Sequence, residues 1–393
     1  MGRVKEDKSV RGYASRKRQY KRIRNLMIII VILALIVIGA IVAYSIYNRN
    51  YHGYKVTNTS EIKGETTKGF LGYGNSMLKY GKDGAIAYDK DGKTLWNCAY
   101  EMSDPVADIC GEYVVIGDRR NKQVRVINGK GNAVSYTTDF NIIKAEVSEH
   151  GVTAILMEEG DNNYIKIYNL KGNVLADIKT NVKSKDDGYP LDISLSNDGT
   201  KLVISLLVIL DGQEFTRIGF YNFGEVGQNA TDNIVGGFNS DKGVIASRVE
   251  FVNNETVCVY KNNGFDIYNV KEKPKLVKSI TTKSAIKSIL YNSKYTGIVT
   301  EANSKSAKKL LLYNLSGKTV LEHDIDLEYK KILLRNDEII LYDERNCFII
   351  RKNGKLKFKY TFKGDITDLY PINKFGRYYL VSDTKLSVIE LKD

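Results

Sequence analysis

Side chains able to do acid–base, nucleophilic or metal chemistry are scattered in this 393-residue chain. Its three histidines, His52, His150 and His323, lie far apart. They match no zinc spacing such as H-x-x-x-H, which sets two imidazoles on one helix face. His150 precedes Gly151 in what reads as a hairpin turn. Neither a G-x-S-x-G nucleophile turn nor a glycine-rich phosphate loop occurs. Three acidic turns, at 89–92, 158–163 and 186–187, carry the oxygens that Ca²⁺ takes. None completes a calcium loop, and Asp, Asn and Gly are turn formers first. No catalytic, cofactor-binding or metal-ligating residue is therefore assigned, and no cofactor is expected.

Cys98, Cys110, Cys258 and Cys347 sit in or beside apolar strand-like runs. They read as small buried core residues. A bridge between Cys98 and Cys110, which fall in neighbouring units, is the alternative if the domain lies outside the cytoplasm.

The element that positions everything else is Leu26 to Tyr47, twenty-two residues without a charge. As a helix it spans about 33 Å, enough for a hydrocarbon core of about 30 Å. It is longer than a signal-peptide core and offers only the weak cleavage site Ile41-Val42-Ala43, so a permanent transmembrane helix is the reading. Before it, residues 1–25 hold ten Lys or Arg against Glu6 and Asp7. This basic tail supplies +8 of the net +13. Basic residues flanking a span stay cytoplasmic. The expected topology is a single-pass protein of the cell membrane, its N-terminus cytoplasmic and its C-terminal domain extracytoplasmic. The partners of the tail are then anionic headgroups, with no nucleic acid. Residues 48–53 read as a short linker and residues 54–393 as one β domain.

That domain repeats. An apolar strand ending in Tyr or Ile plus Asp or Asn, a short glycine turn, then another strand recur at 85–96, 124–134, 165–175, 310–321 and 347–358. Looser copies begin at Arg217 and Phe265. Taking Tyr88, Ile127, Tyr168, Tyr221, Tyr268, Tyr313, Ile350 and Ile389 as markers, the steps are 39, 41, 53, 47, 45, 37 and 39 residues. That is the spacing of a four-stranded propeller blade. The last unit offers three strands, and Tyr54–Ile62 is a spare strand able to complete it. The fold class is all-β, an eight-bladed β-propeller preceded by one transmembrane α-helix. Seven blades is the alternative, since the 53-residue step leaves room for an insertion. In the strand at 355–363, Leu356, Phe358, Tyr360 and Phe362 alternate with Lys355, Lys357, Lys359 and Lys363. These lysines read as protection of an exposed outer edge.

Two segments resemble propeller families. Ala87 to Trp96 is similar to the repeat of quinoprotein-type (PQQ-like) propellers, and Pro190 to Ser205 resembles the Ser-x-Asp-Gly strand turn of WD40-like and TolB-like propellers. The overall plan resembles single-span propeller proteins of Firmicutes. The resemblance implies a ring that serves either quinone-dependent dehydrogenases or cofactor-free scaffolds. The dehydrogenases repeat the Trp motif in most blades, whereas Trp96 is the one Trp here.

The functional expectation is a non-enzymatic, membrane-anchored binding scaffold that engages an envelope protein or an anionic wall polymer. A glycan-acting enzyme with carboxylates at the ring mouth and a transmembrane signalling protein are the alternatives. Two or three carboxylates converging in a deep polar pocket would favour the enzyme.

Overall fold

A computed structural model describes residues 8–62, 66–184, 187–301, 308–373, 376–382 and 384–393, with side chains from Gln19 onward except Ala43. Arg3, Lys5, Glu6, Asp7 and Asp186, used above, lie outside the described residues. The chain divides into two units, 1–50 and 51–393.

The first unit is one helix, Lys8–Tyr47, of which Gln19–Tyr47 is long and apolar enough to cross a membrane. The boundary expected between tail and span at residue 25 is not a structural break. Arg and Lys are good helix formers, and no proline interrupts the run.

The second unit consists of eight four-stranded antiparallel sheets, the blades of a propeller. Each of the first seven takes four consecutive strands. Blade 1 runs Thr67–Tyr73, Ser76–Gly81, Gly84–Tyr88 and Thr94–Ala99. The innermost strands of blades 2 to 7 are Pro105–Cys110, Asn141–Val147, Tyr189–Leu195, Arg248–Asn253, Ile286–Tyr291 and Lys331–Arg335. Their outermost strands are Ala133–Thr137, Val174–Asn181, Ile234–Asn239, Lys275–Thr281, Thr319–Ile325 and Leu356–Thr361. Blade 8 takes Asp368–Pro371, Arg377–Ser382 and Lys385–Lys392, and its outermost strand is Gly53–Glu61 from the other end of the domain. Register there runs from Gly53 opposite Lys392 to Glu61 opposite Lys385. The ring has eight blades, not seven. The 53-residue step is blade 4, whose middle hairpin uses two ten-residue strands, Lys201–Leu210 and Gln213–Asn222. A short helix, Glu225–Gln228, and a 3₁₀ turn, Thr231–Asn233, precede its last strand.

The repeated Asx-x-x-Gly turn has a local cause. Asn128 Oδ1 accepts the N–H groups of Lys130 and Asn132, each at 3.0 Å. Asn169 and Asn314 do the same in their own blades. Asp89 Oδ1 accepts the N–H groups of Asp91 and Lys93, so this acidic turn holds its own backbone. The glycine is required on two counts at Gly131. Its φ is +81°, and a Cβ there would lie 2.6 Å from Cβ of Trp96 in blade 1. The turn glycines of blades 1, 3, 6 and 7 likewise lie against the neighbouring blade, so the turn seats one blade on the next. Trp96 and Tyr73 pack edge to face beneath it.

A bulge follows the connection from third to fourth strand in six blades. In blade 1, Tyr88 pairs with Thr94 but Ala87 with Trp96, leaving Leu95 unpaired. Leu175, Val235, Val277, Val320 and Lys357 occupy the corresponding place in blades 3 to 7. The extra residue shifts the inside–outside alternation of everything before it. The expectation for Lys357 is therefore corrected. Leu356 is exposed and Lys357 is 3% exposed, whereas Lys355, Lys359 and Lys363 face solvent. Lys357 Nζ donates to Glu338 Oε1 and lies 3.0 Å from Tyr378 Oη of blade 8, which donates to Glu338 Oε2 at 2.5 Å. All four cysteines are free thiols. Cys98, Cys258 and Cys347 are buried and Cys110 is half-buried.

This seam gives a test. Glu338→Gln strips Lys357 of its carboxylate partner and is expected to cost about 3–5 kcal/mol in chemical denaturation. The double change Glu338→Met with Lys357→Met removes both charges together and is expected to recover most of that loss.

Candidate functional site

The innermost strand of each blade has a neighbour on one side only, so its other edge offers unpaired backbone N–H groups. Buried N–H groups of this kind need an acceptor. Acidic side chains in the preceding blade provide it. Asp108 Oδ2 of blade 2 accepts the N–H of Val147 at 2.9 Å. Glu146 Oε2 of blade 3 accepts Leu195 N–H at 2.7 Å. Asp192 Oδ2 of blade 4 accepts Val249 N–H at 3.0 Å, and Ser194 Oγ accepts Phe251 N–H at 3.0 Å.

Two cations thread these carboxylates together. Lys144 Nζ lies 2.7 Å from Glu146 Oε1 and 2.7 Å from Asp192 Oδ1, and donates to the carbonyl of Ile193 at 2.7 Å. Arg248 Nε is 3.5 Å from Asp192 Oδ2. Its Nη2 reaches Glu250 Oε2 at 2.9 Å and Tyr291 Oη at 3.2 Å. A chain of charge therefore runs from blade 3 through blades 4 and 5 to Tyr291 of blade 6, with Asp108 of blade 2 beside Glu146. Burial, then the negative charge of Glu146, raise the carboxyls of Asp108 and Glu250 toward neutrality. Burial opposes the charge on Lys144, but Glu146 and Asp192 together raise its pKa. A second, smaller cluster joins blades 7 and 8. Lys331 Nζ is 2.8 Å from Asp368 Oδ2, Tyr342 donates to Asp368 Oδ1 at 2.7 Å, and the Lys331 ammonium lies 5.3 Å from the Tyr370 ring centre.

Cavities also open between the blades. A cleft of about 790 Å³ separates blades 3 and 4, walled by Ile178, Thr180, Tyr221 and Phe238 over Gly236 and Gly237. Burial, with Asp187 and Asp232 nearby, pushes the Tyr221 phenol up to about 12. A second cavity of about 560 Å³ lies where blades 7, 8 and 1 meet, between Tyr80, Lys331, Asp368 and Tyr370. The four carboxylates of blades 2 to 5 line neither.

Among the described residues, no group of three or more His, Cys, Asp or Glu is arranged to hold a metal ion. His150 sits exposed in its turn, 3.7 Å from Glu149. Sequence reasoning passed over Asp108, Lys144, Glu146, Arg248 and Glu250. Their signal is a charged residue within an apolar first strand, as in VADIC, IIKAEV and RVEFV.

Fold and site together define an eight-bladed β-propeller protein carrying one N-terminal helix apolar enough to span a membrane. The chain belongs to the family described as a family of unknown function (DUF5711), which it matches over residues 47–391. No curated protein matches it. Among solved structures it is similar to Porphyromonas gingivalis dipeptidyl peptidase 4, with TM-score 0.53 and 12% identity over 82% of this chain and 57% of that one. It is also similar to Chaetomium thermophilum Sqt1 bound to the N-terminus of ribosomal protein L10, with TM-score 0.51 and 10% identity over 81% and 94%. Chaetomium thermophilum Raptor matches 87% of this chain at TM-score 0.46 and 10% identity, and this chain spans only 29% of Raptor. These likenesses bear on the propeller fold alone.

Two variants test the axial network. Lys144→Met leaves Glu146 and Asp192 without their shared cation and is expected to cost about 3–5 kcal/mol. Glu250 has a folded-state pKa above its unfolded one. Its favourable contribution is present below the ordinary carboxylate range and is lost as pH rises through the raised value. Wild-type stability is therefore expected to fall relative to Glu250→Gln between about pH 5 and pH 8. Parallel pH profiles in thermal melts would contradict the assignment.

Proposed function

We propose that this chain is a non-enzymatic binding scaffold, anchored in the cell membrane by Leu26 to Tyr47 and displaying its propeller outside the cytoplasm. The propeller then engages an envelope protein or an anionic wall polymer. The observation that carries this reading is the use made of the axial carboxylates. Asp108, Glu146 and Asp192 each accept a backbone N–H from the next blade, and Glu146, Asp192 and Glu250 each bind a cation. Groups spent on joining blades are poorly placed to attack or protonate a substrate. The topology rests on the basic residues that precede the apolar run.

One observation favours an enzyme as a second reading. Asp108 and Glu250 are held toward neutrality, as a general acid requires. Against it, the cavities between blades 3 and 4 and around blades 7, 8 and 1 are lined by neither of these two carboxyls.

Crosslinking in intact cells, followed by mass spectrometry of proteins and polymers that copurify with the full chain, separates the two. The scaffold reading expects a reproducible envelope partner that Asp108→Asn and Glu250→Gln leave bound. No reproducible partner, together with a glycan-cleaving activity that these substitutions abolish, would contradict it.

A further inference from the structure

The two rims of the ring differ. One rim is formed where the third strand of each blade turns into the fourth, and in blade 8 where Lys392 lies opposite Gly53. The other carries the turns from second to third strands and the links between blades. Among the described residues outside the N-terminal helix, thirteen large apolar side chains are exposed. Ten of them fall in the third-to-fourth turn or in the first four residues of the fourth strand. Leu95, Val134, Leu175, Ile234, Leu276 and Leu356 represent six blades.

Strand edges alone do not explain this. The same outermost strands turn mainly polar toward the opposite rim, where Asn97, Thr137, Lys179, Ser279 and Lys359 are among the exposed residues and Ala99 is a small apolar one. The bulge contributes directly, because it pushes Leu95, Leu175 and Val277 out of register and into solvent.

Lysines stand beside these aliphatic groups. Lys93, Lys130, Lys171, Lys273, Lys318 and Lys355 lie exposed in the turns of blades 1, 2, 3, 5, 6 and 7. The exposed acids of the same turns and strand starts are Asp177, Glu225, Asp232, Glu272 and Glu322, of which Asp177 and Glu322 are paired with Lys166 and Lys309 of the neighbouring strands. Further acids, such as Glu112, Glu149 and Glu255, sit on turns nearer the axis, inside the lysine ring. The perimeter therefore pairs protruding aliphatic side chains with ammonium groups. That combination suits the boundary between acyl chains and anionic headgroups, with lysine stems lying along the apolar part. The chain also enters the propeller at this rim, since Gly53 opens the closing strand there, and only residues 48–52 separate it in sequence from Tyr47.

We propose that this rim is a second membrane-binding surface, which seats the propeller on an anionic phospholipid bilayer through its turn lysines and the aliphatic residues beside them. The inference stands apart from the scaffold reading and holds whether or not a protein partner is found.

The test uses the full chain reconstituted in phosphatidylglycerol vesicles, in phosphatidylcholine vesicles and in detergent, with amine-reactive labelling read by mass spectrometry. In phosphatidylglycerol, Lys171, Lys273 and Lys318 are expected to label about fivefold more slowly than in phosphatidylcholine or detergent, the change that roughly 1 kcal/mol per lysine implies. Lys242 and Lys283, exposed on the opposite rim, are expected to label equally in all three. As a second measurement, Leu276→Trp is expected to be quenched by brominated phosphatidylglycerol about twofold or more beyond Ile209→Trp on the opposite rim. Equal protection of both rims, equal labelling in the two lipids, or equal quenching at both positions would overturn the proposal.

Discussion

The fold depends on the pairing of Gly53–Glu61 with Lys385–Lys392, which joins the two ends of the propeller in one sheet. Residues more than three hundred positions apart form this ladder, from Gly53 opposite Lys392 to Glu61 opposite Lys385. Side chains reinforce the closure on both sides. Tyr370 donates to the carbonyl of Phe70 at 3.3 Å, and Arg377 holds Asp91 of blade 1 at 3.0 Å. Toward blade 7, Tyr378 enters the buried Glu338–Lys357 pair, and Tyr51 N–H donates to the carbonyl of Lys357 at 2.9 Å. The closing strand also shields part of an outer edge that would otherwise stand open.

Inside the ring the blades solve a second problem with charge. The inner strands of blades 3, 4 and 5 bring unpaired N–H groups toward the axis, and acidic side chains from the blade before accept them. Four carboxylates and two cations occupy the resulting chain, an excess of negative charge that burial makes costly. The raised carboxyls of Asp108 and Glu250 reflect that imbalance. Apolar residues could fill the same space but could not accept the N–H groups of Val147, Leu195 and Val249. The network also fixes register between blades, since a slip by one residue would place an apolar side chain where the carboxylate is required.

Much of this architecture was legible in the sequence, and the reason is local. The Asx-x-x-Gly turn announces itself through residues a few positions apart, so blade spacing and the spare strand at 54–62 could be read directly, while the 53-residue step of blade 4 left eight blades or seven open. The bulge at the start of the fourth strand could not be read. It leaves no residue-type signature, occurring at Leu95, Leu175, Val235, Val277, Val320 and Lys357 alike, and it reverses the expected direction of Lys357. The axial site was hidden for a different reason. Asp108 and Val147 are neighbours only once two blades are packed side by side, and composition drew attention instead to acids such as Asp89, which hold their own turns. In this chain the chemically unusual carboxyls sit in the apolar strands.

Hydrogen exchange of the full chain tests the central claim, that Gly53–Glu61 is an integral strand of blade 8. Amides of this strand that face Lys385–Lys392 are expected to exchange as slowly as those of Arg377–Ser382, in one cooperative unit. Fast exchange in 53–61 while the rest of blade 8 stays protected would show that the ring holds without its closing strand, contradicting the account.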